Sequence, residues 1–254
     1  MKNKIAVIIP TVKPYDVSCK LAVDSIISSI NRNPIADFDI FISGPQDPND
    51  DRVKFIKEEK QEGENVTNNY LAAQVVDKYD YIFLSSDDFI VESSYNLLDA
   101  IEFLESESFS NRKMKICSIS TSTDSPCVTG PFLSFPEGSS YGKDYRPNNA
   151  FIIPAFTICR FPFVKTSTVE KYLNNRFYPN SIYSGYGDIC LSYFLYANKE
   201  PCLEFAGVKL SFMNHIHSID RVARRKKEWI QNRSVSCINA YSFISGYSEG
   251  KIYE

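Results

Sequence analysis

Continuous apolar runs and runs of helical period alternate along the first ninety residues. Ile5–Ile9 is apolar throughout and stops at Pro10, the pattern of a strand buried on both faces. Val17, Leu21, Ile26, Ile27 and Ile30 recur at near-helical spacing and predict a first crossover helix. Phe38–Ser43 alternates polar and apolar before Gly44-Pro45 and reads as a second strand with its breaker. A short charged helix is expected from Val53 to about Lys60, and a longer one from Val66 to Lys78. Tyr81–Leu84 is again wholly apolar, then gives way to Ser85-Ser86-Asp87-Asp88. Strands separated by helices call for right-handed crossovers and a mainly parallel open sheet flanked by helices, an α/β fold.

The second half is less regular. Leu97, Leu98, Ile101 and Leu104 share one face of a helix expected over Tyr95–Leu104, and Lys115–Ser120 reads as a strand. Residues 124–149 hold four prolines and three glycines without periodicity, a loop long enough to suggest a functional lid on the acceptor side. Ala150–Phe156 resumes strand character. Ser167-Thr168-Val169-Glu170 has capping-box spacing and opens a helix to about Asn174. A glycine-rich turn, Ser184–Asp188, precedes a buried helix over Ile189–Ala197; Cys202–Ala206 and Val208–Met213 are short strand candidates. Arg221 to about Asn232 is a basic helical stretch. With no repeat and no linker, one domain over 1–254 is expected: a first half to about 110, an acceptor-side half to about 220, and a basic helix with its tail.

Composition narrows the class. Among 254 residues, 43% are hydrophobic and 23% charged, which excludes a disordered chain. No apolar run nears the ~20 residues that span a bilayer. Met1-Lys2-Asn3-Lys4 leads straight into a strand, so no signal peptide and a cytoplasmic, at most membrane-peripheral, location are expected. Seven cysteines, odd in number and without a C-x-x-C pair, argue against a zinc site or a disulfide scaffold. A net charge of −3 gives no global attraction to nucleic acid.

The chemistry concentrates where the apolar strand ends. Asp87 and Asp88 lie beyond a strand terminus, the place where open α/β sheets bind ligands. As paired hard oxygen ligands they suit Mg²⁺ or Mn²⁺ carrying a diphosphate. As helix N-caps they would serve only the helix that follows. His215 and His217, the chain's two histidines, fall on one face of an extended segment, where imidazole can join carboxylates on Mn²⁺. Arg221, Arg224, Arg225, Lys226 and Lys227 read as a solvated helix face, a clamp on a diphosphate, or a patch for an anionic membrane or polymer.

Taken in order, these segments resemble the GT-A (Rossmann-like) glycosyltransferases, specifically the family-2-like enzymes that use nucleotide-diphospho-sugars. Val7-Ile8-Ile9-Pro10-Thr11 resembles the family's first strand and base-contacting loop, and Asn68-Asn69-Tyr70-Leu71-Ala72 its Asn-containing helix start. Tyr81–Asp88 resembles the strand and acidic motif that hold metal and sugar diphosphate, and Gly187–Leu191 the later motif whose Asp is the catalytic base. The likeness covers roughly residues 4–217. It implies donor contacts at Pro10, Thr11, Ser43, Asn68, Asn69, Ser86 and Asp87, a Mn²⁺ or Mg²⁺ ion on Asp88 and His215 with His217 as substitute, and Asp188 as general base. It also implies a glycan or lipid-linked acceptor; a nucleic-acid base is the remoter choice and rests only on the basic run 221–227. The chain departs from the family in three places. Ser43-Gly44-Pro45 stands where Asp residues read base and ribose, Ser86 where the Asp-x-Asp pair begins, and Gly187 where the later motif has a leading acid. Asp188 would also fill the N-cap of the following helix, a reading compatible with the base role. Two other classes remain beside the transferase: a binding module of the same fold that has lost turnover, and a sugar nucleotidyltransferase. The latter lacks support, because Pro10-Thr11-Val12-Lys13-Pro14 is no glycine-rich phosphate loop.

Overall fold

The computed structural model describes residues 2–11, 17–31, 36–58, 62–87, 89–90, 99–119, 151–152, 161–183, 187–200, 203–205, 214–215 and 239. Strand β1 (Asn3–Pro10), helix α1 (Val17–Asn31), β2 (Ala36–Gly44), β3 (Val53–Lys57), α2 (Glu64–Val75) and β4 (Tyr81–Leu84) make up the first half. There follow β5 (Phe89–Ile90), α3 (Asp99–Glu105), α4 (Glu107–Ser110), β6 (Ile116–Ile119), β7 (Phe151–Ile152), β8 (Pro162–Lys165) and α5 (Thr166–Tyr172). The last are α6 (Gly187–Ala197), β9 (Leu203–Phe205) and β10 (Asn214–His215).

One sheet runs in the order β3-β2-β1-β4-β8-β6-β9-β7, while β5 and β10 pair apart from it. β1, β2, β3 and β4 are mutually parallel. β8 opposes both β4 and β6, β9 runs parallel to β6, and β7 opposes β9. Only β8 and β7 therefore oppose the common direction, and the sheet is mainly parallel as the sequence pattern requires.

The continuous apolar runs are explained by cores on both faces. Ile5, Val7, Ile9 and Phe83 pack with Val23, Ile26 and Ile30 of α1. Ala6, Ile8, Ile82 and Leu84 pack on the opposite face with Leu71, Ala72 and Val75 of α2 and Leu191 and Leu195 of α6. A strand with an apolar partner on each side has no polar positions to alternate.

Four expectations change. Val53–Lys57 is a strand, not a charged helix: Val53, Phe55 and Ile56 are partly buried, while Lys54 and Lys57 remain exposed on the sheet's edge. Pairing with β2 decides its conformation over the helix propensity of its lysines. β8, which carried no sequence signal, fills the centre of the sheet between β4 and β6. The capping box at Ser167 does not form. Helix α5 begins a residue earlier, Thr166 Oγ1 donates to Tyr79 O at 2.8 Å, and Thr168 Oγ1 accepts from Lys115 N at 2.9 Å. The hydroxyls thus tie α5 to the sheet instead of capping it. Finally, Asp87 and Asp88 precede strand β5 rather than a helix, which removes the capping role considered for them. The 124–149 loop, the Val208–Met213 strand, His217 and the basic stretch lie outside the described residues. Among the described residues no helix is long and apolar enough to cross a membrane.

A charged knot pins the far end of the sheet. Glu105 accepts from the Tyr81 hydroxyl at 2.6 Å and from Lys165 and Lys115 at 2.8 Å each, joining β4, β8 and the approach to β6. Burial opposes its charge, but the bonds from Lys115, Lys165 and Tyr81 outweigh that and hold the carboxyl at about 2. A depressed carboxyl stabilises the fold above its ordinary value of 4.5 and loses that contribution as pH falls toward 2. Glu105→Gln is therefore expected to cost about 1 kcal/mol at neutral pH after allowance for solvent screening. Its deficit relative to the unmodified chain should shrink between pH 4.5 and 2 in chemical-denaturant melts. A pH-independent deficit would remove the ionic part of this account.

Candidate active site

Parallel strands β1 to β4 end together, so Thr11, Ser43, Glu58 and Ser85–Asp87 gather along one edge of the sheet. Thr11 is the hinge of that edge. Its N–H donates to Ser43 O at 2.8 Å, and its hydroxyl donates to Asp87 Oδ2 at 2.7 Å. Gly44 makes this possible: a Cβ there would lie 2.6 Å from Thr11 Cγ2 and 3.0 Å from Thr11 O. The β2 terminus that lacks the family's Asp thus has a steric task, letting the β1 loop sit close enough to hold Asp87. Asp87 and Ser86 are half-buried, and Ser85 N donates to Ile8 O at 2.9 Å, so the acidic motif begins as a continuation of the sheet.

Beyond Asp87 the chain enters β5, which pairs antiparallel with β10 and sets His215 opposite Phe89. The backbone therefore brings His215 beside the acidic motif from well over a hundred residues away. Asp88 lies outside the described residues, as does the side chain of His215.

The N-terminal end of α2 forms the neighbouring wall. Gly63 before it has φ 128°, and a Cβ there would meet Tyr183 O at 2.2 Å, so only glycine fits. Asn65 N donates to Tyr183 O at 3.1 Å. Asn69, expected at the donor, is directed elsewhere. Its Oδ1 accepts from Phe177 N at 2.8 Å and Tyr178 N at 3.0 Å, and its Nδ2 donates to Tyr178 O at 2.8 Å. That amide clamps the segment leading to α6. A Cβ on Gly187, the first residue of α6, would come within 2.8 Å of Asn65 Oδ1 and 2.7 Å of Tyr178 Cδ1. The glycine in place of a leading acid is thus what lets α6 dock against α2.

Asp188 falls inside the first turn of α6 and not at its cap, half-buried, with its carbonyl accepting from Ser192 Oγ at 2.6 Å. A carboxylate there is favoured by the helix dipole. Burial and the Asp188 charge together push the Cys190 thiol up, so that cysteine is inert packing.

One residue at the edge escaped the sequence reading. Glu58 follows β3, its N–H donates to Gly44 O at 3.2 Å, and its Oε1 accepts from Thr67 Oγ1 of α2 at 2.5 Å. Burial and the nearby Glu62 charge push its carboxyl up despite the Thr67 bond. The signal was the polar residue ending the run Val53-Lys54-Phe55-Ile56-Lys57, visible only once that run is read as a strand.

Among the described residues no three His, Cys, Asp or Glu side chains cluster as a metal site. The donor chemistry nonetheless fits a hard divalent ion. Asp87 is a partly buried carboxylate at a strand end, with one oxygen oriented by Thr11, and the β5–β10 pair adds an imidazole-bearing residue alongside.

No protein-family model matches the chain, and no curated protein matches it by sequence. Solved structures do. S. aureus TarS aligns over 80% of this chain at 13% identity and TM-score 0.53, and the chain spans 35% of that longer protein. The TarS 1-349 structure aligns over 99% of this chain and 93% of its own, at 13% identity and TM-score 0.51. Glucosyl-3-phosphoglycerate synthase from Mycobacterium tuberculosis, in complex with Mg²⁺ and UDP, aligns over 92% of this chain and 79% of its own (11% identity, TM-score 0.51). A Drosophila β1,4-galactosyltransferase 7 mutant, complexed with manganese, UDP-Gal and xylobiose, aligns over 91% and 79% (13% identity, TM-score 0.52). At these identities the likeness is one of fold. The strand order, the acidic motif's place at the edge of the sheet and these neighbours agree that the chain has the GT-A fold of nucleotide-diphospho-sugar transferases.

Proposed function

We propose that this chain is a metal-dependent, inverting glycosyltransferase that moves a sugar from a nucleotide-diphosphate donor to an acceptor hydroxyl. The observation that carries the proposal is Asp87, oriented by Thr11 at the C-terminal edge of a GT-A sheet. Asp87 and Asp88, with His215, would hold Mn²⁺ or Mg²⁺. The ion supplies a Lewis acid that neutralises the departing diphosphate. Pro10, Thr11, Ser43, Asn68 and Ser86 line the donor's place along the same edge, while Asn69 serves the fold. Asp188 would take the proton of the attacking hydroxyl. Its half-buried position beside the α2 terminus suits a carboxylate that must stay ionised until the acceptor arrives. The neighbours bound to UDP, a divalent ion and a saccharide support this class of donor and a sugar or glycan acceptor.

A binding module without turnover draws its support from Ser86 and Gly187, two of the places where family acids are missing. The close packing of Gly187 against Asn65 and Tyr178 supplies a structural reason for the glycine and leaves Ser86 as that reading's one support. The test is donor hydrolysis by the full chain with Mn²⁺, run beside a melting screen of nucleoside diphosphates with and without the ion. Release of sugar, together with a metal-dependent rise in melting temperature, is expected. Binding without release would favour the module, and neither effect would overturn the proposal.

A further inference from the structure

Helices α2 and α6 share one core on the same face of the sheet, to which α2 gives Leu71, Ala72 and Val75 and α6 gives Leu191, Phe194 and Leu195. Apolar burial is non-directional, so it does not by itself set where the first turn of α6 stands. The directional contacts come from Asn69. Its Oδ1 accepts from Phe177 N at 2.8 Å and Tyr178 N at 3.0 Å, and its Nδ2 donates to Tyr178 O at 2.8 Å. Both lone pairs of that oxygen and one amide hydrogen are thus engaged by two consecutive residues. Tyr178 is buried, and its ring stands against the start of α6: a Cβ on Gly187 would come 2.7 Å from Tyr178 Cδ1. Asn65, one turn before Asn69 on the same face of α2, closes the other side. Its Oδ1 would lie 2.8 Å from the same Cβ, and its N–H donates to Tyr183 O at 3.1 Å. Gly187 is seated between two groups anchored on α2, and Asp188 is the next residue.

We infer that Asn69 is a positioning residue for the transfer step: through Tyr178 and Gly187 it sets where the Asp188 carboxylate stands. This rests on the proposed role of Asp188 as base. In that role a carboxylate oxygen takes the proton of the attacking hydroxyl as its oxygen bonds to the anomeric carbon. The bond from that carbon to the diphosphate breaks, and its electron pair leaves with the phosphate. A base works only within hydrogen-bond reach of its proton, and a misplacement of about 1 Å can cost about 10²-fold. Asparagine suits the task because one planar group must accept from two N–H groups and donate to a carbonyl. Aspartate would set an oxygen against Tyr178 O, and leucine would leave all three backbone groups without their partner. The base is thereby referenced to the helix that walls the donor edge.

The experiment is a double-mutant cycle on the full chain with Mn²⁺. It reads hydrolysis of UDP-glucose, UDP-galactose and GDP-mannose, with water as the acceptor, and follows whichever of them the unmodified chain turns over. Asn69→Ala should lower kcat by about 10–100-fold while the donor KM holds. Gly187→Ala is the second variant, in case Asn69→Ala fails to fold. Gly187 has no positive φ, and alanine suits a helix better than glycine, so this variant should fold with every Asn69 bond in place. Its methyl must nonetheless push the start of α6 off Asn65 and Tyr178, and kcat should fall in the same way. In the Asp188→Asn background no base is left to misplace, so neither substitution should lower turnover further. The same fold-loss in both backgrounds, or a loss confined to KM, would overturn the inference and leave Asp188 as base. Full turnover in Asp188→Asn alone would overturn the base assignment and the inference with it. Hydrolysis of none of the three donors would overturn the transferase proposal on which both rest.

Discussion

Asp188→Asn is expected to lower glycosyl transfer by about 10²–10⁴-fold, the usual contribution of a positioned acid or base. The substitution keeps size and shape, and removes only the ability to take a proton and the charge in the first turn of α6. The lost charge costs the helix about 0.3–1 kcal/mol through its dipole. Asp188 is inside the first turn of α6 and not at its cap. Donor affinity should hold, since the base meets the acceptor hydroxyl and not the diphosphate. Single-turnover transfer, donor calorimetry and a melting curve on the same variant separate these effects. Turnover that survives would move the base elsewhere. Glu204 would be the first substitute, although its strand β9 holds it between Ser118 and Phe151 in the sheet. Asp220, outside the described residues, would be the second.

Asp87→Ala should abolish most metal-dependent donor binding, by about 10²-fold or more, with little effect on melting. The residue lies past the end of β4, so its loss opens no core cavity. Its partner provides an independent arm. Thr11→Val keeps the shape that packs on Gly44 but removes the hydroxyl that orients Asp87. Loss of such an orienting bond typically costs 10–100-fold in metal affinity, so the effect should be visible as weaker Mn²⁺ binding before any assay of transfer. Thr11→Ser should restore it. Titration of Mn²⁺ with the preferred nucleoside diphosphate reads all three variants. If Asp87→Ala binds normally and Asp88→Ala does not, the neighbour is the ligand; normal binding in both would end the metal assignment.

The sequence disclosed the elements that are buried on both sides. β4 and the Ile5–Ile9 stretch of β1 are apolar throughout and α6 nearly so after Asp188, and no solvated alternative suits such runs. It misled wherever pairing, not composition, decides. β3 carries lysines on its exposed positions, a composition that suits a helix; only its register with β2 makes it a strand. β8 is four residues long and gains its place from β4 and β6, which are distant in the chain. Within the candidate site, the place of Asp87 past the end of β4 was legible, because an apolar run that stops at carboxylates marks a strand terminus. The fate of Asn69 was not, since donor-binding and segment-clamping amides look alike in sequence. Glu58 was hidden by the same misreading that hid its strand.

The central place of β8 has a consequence for biosynthesis. β1, α1, β2, β3, α2 and β4 close a parallel unit using only residues up to Leu84, so it can assemble early on the ribosome. The strand that covers β4 arrives only with Pro162–Lys165. At ordinary elongation rates the intervening chain takes roughly 4–16 s to make, during which the apolar Tyr81–Leu84 edge stays unpaired. An unpaired, uncharged strand edge is a template for association with other chains. Slow codons or stalled synthesis between residues 85 and 161 should therefore lower the soluble yield of this protein more than the same delay placed after residue 165, once β8 has closed the gap.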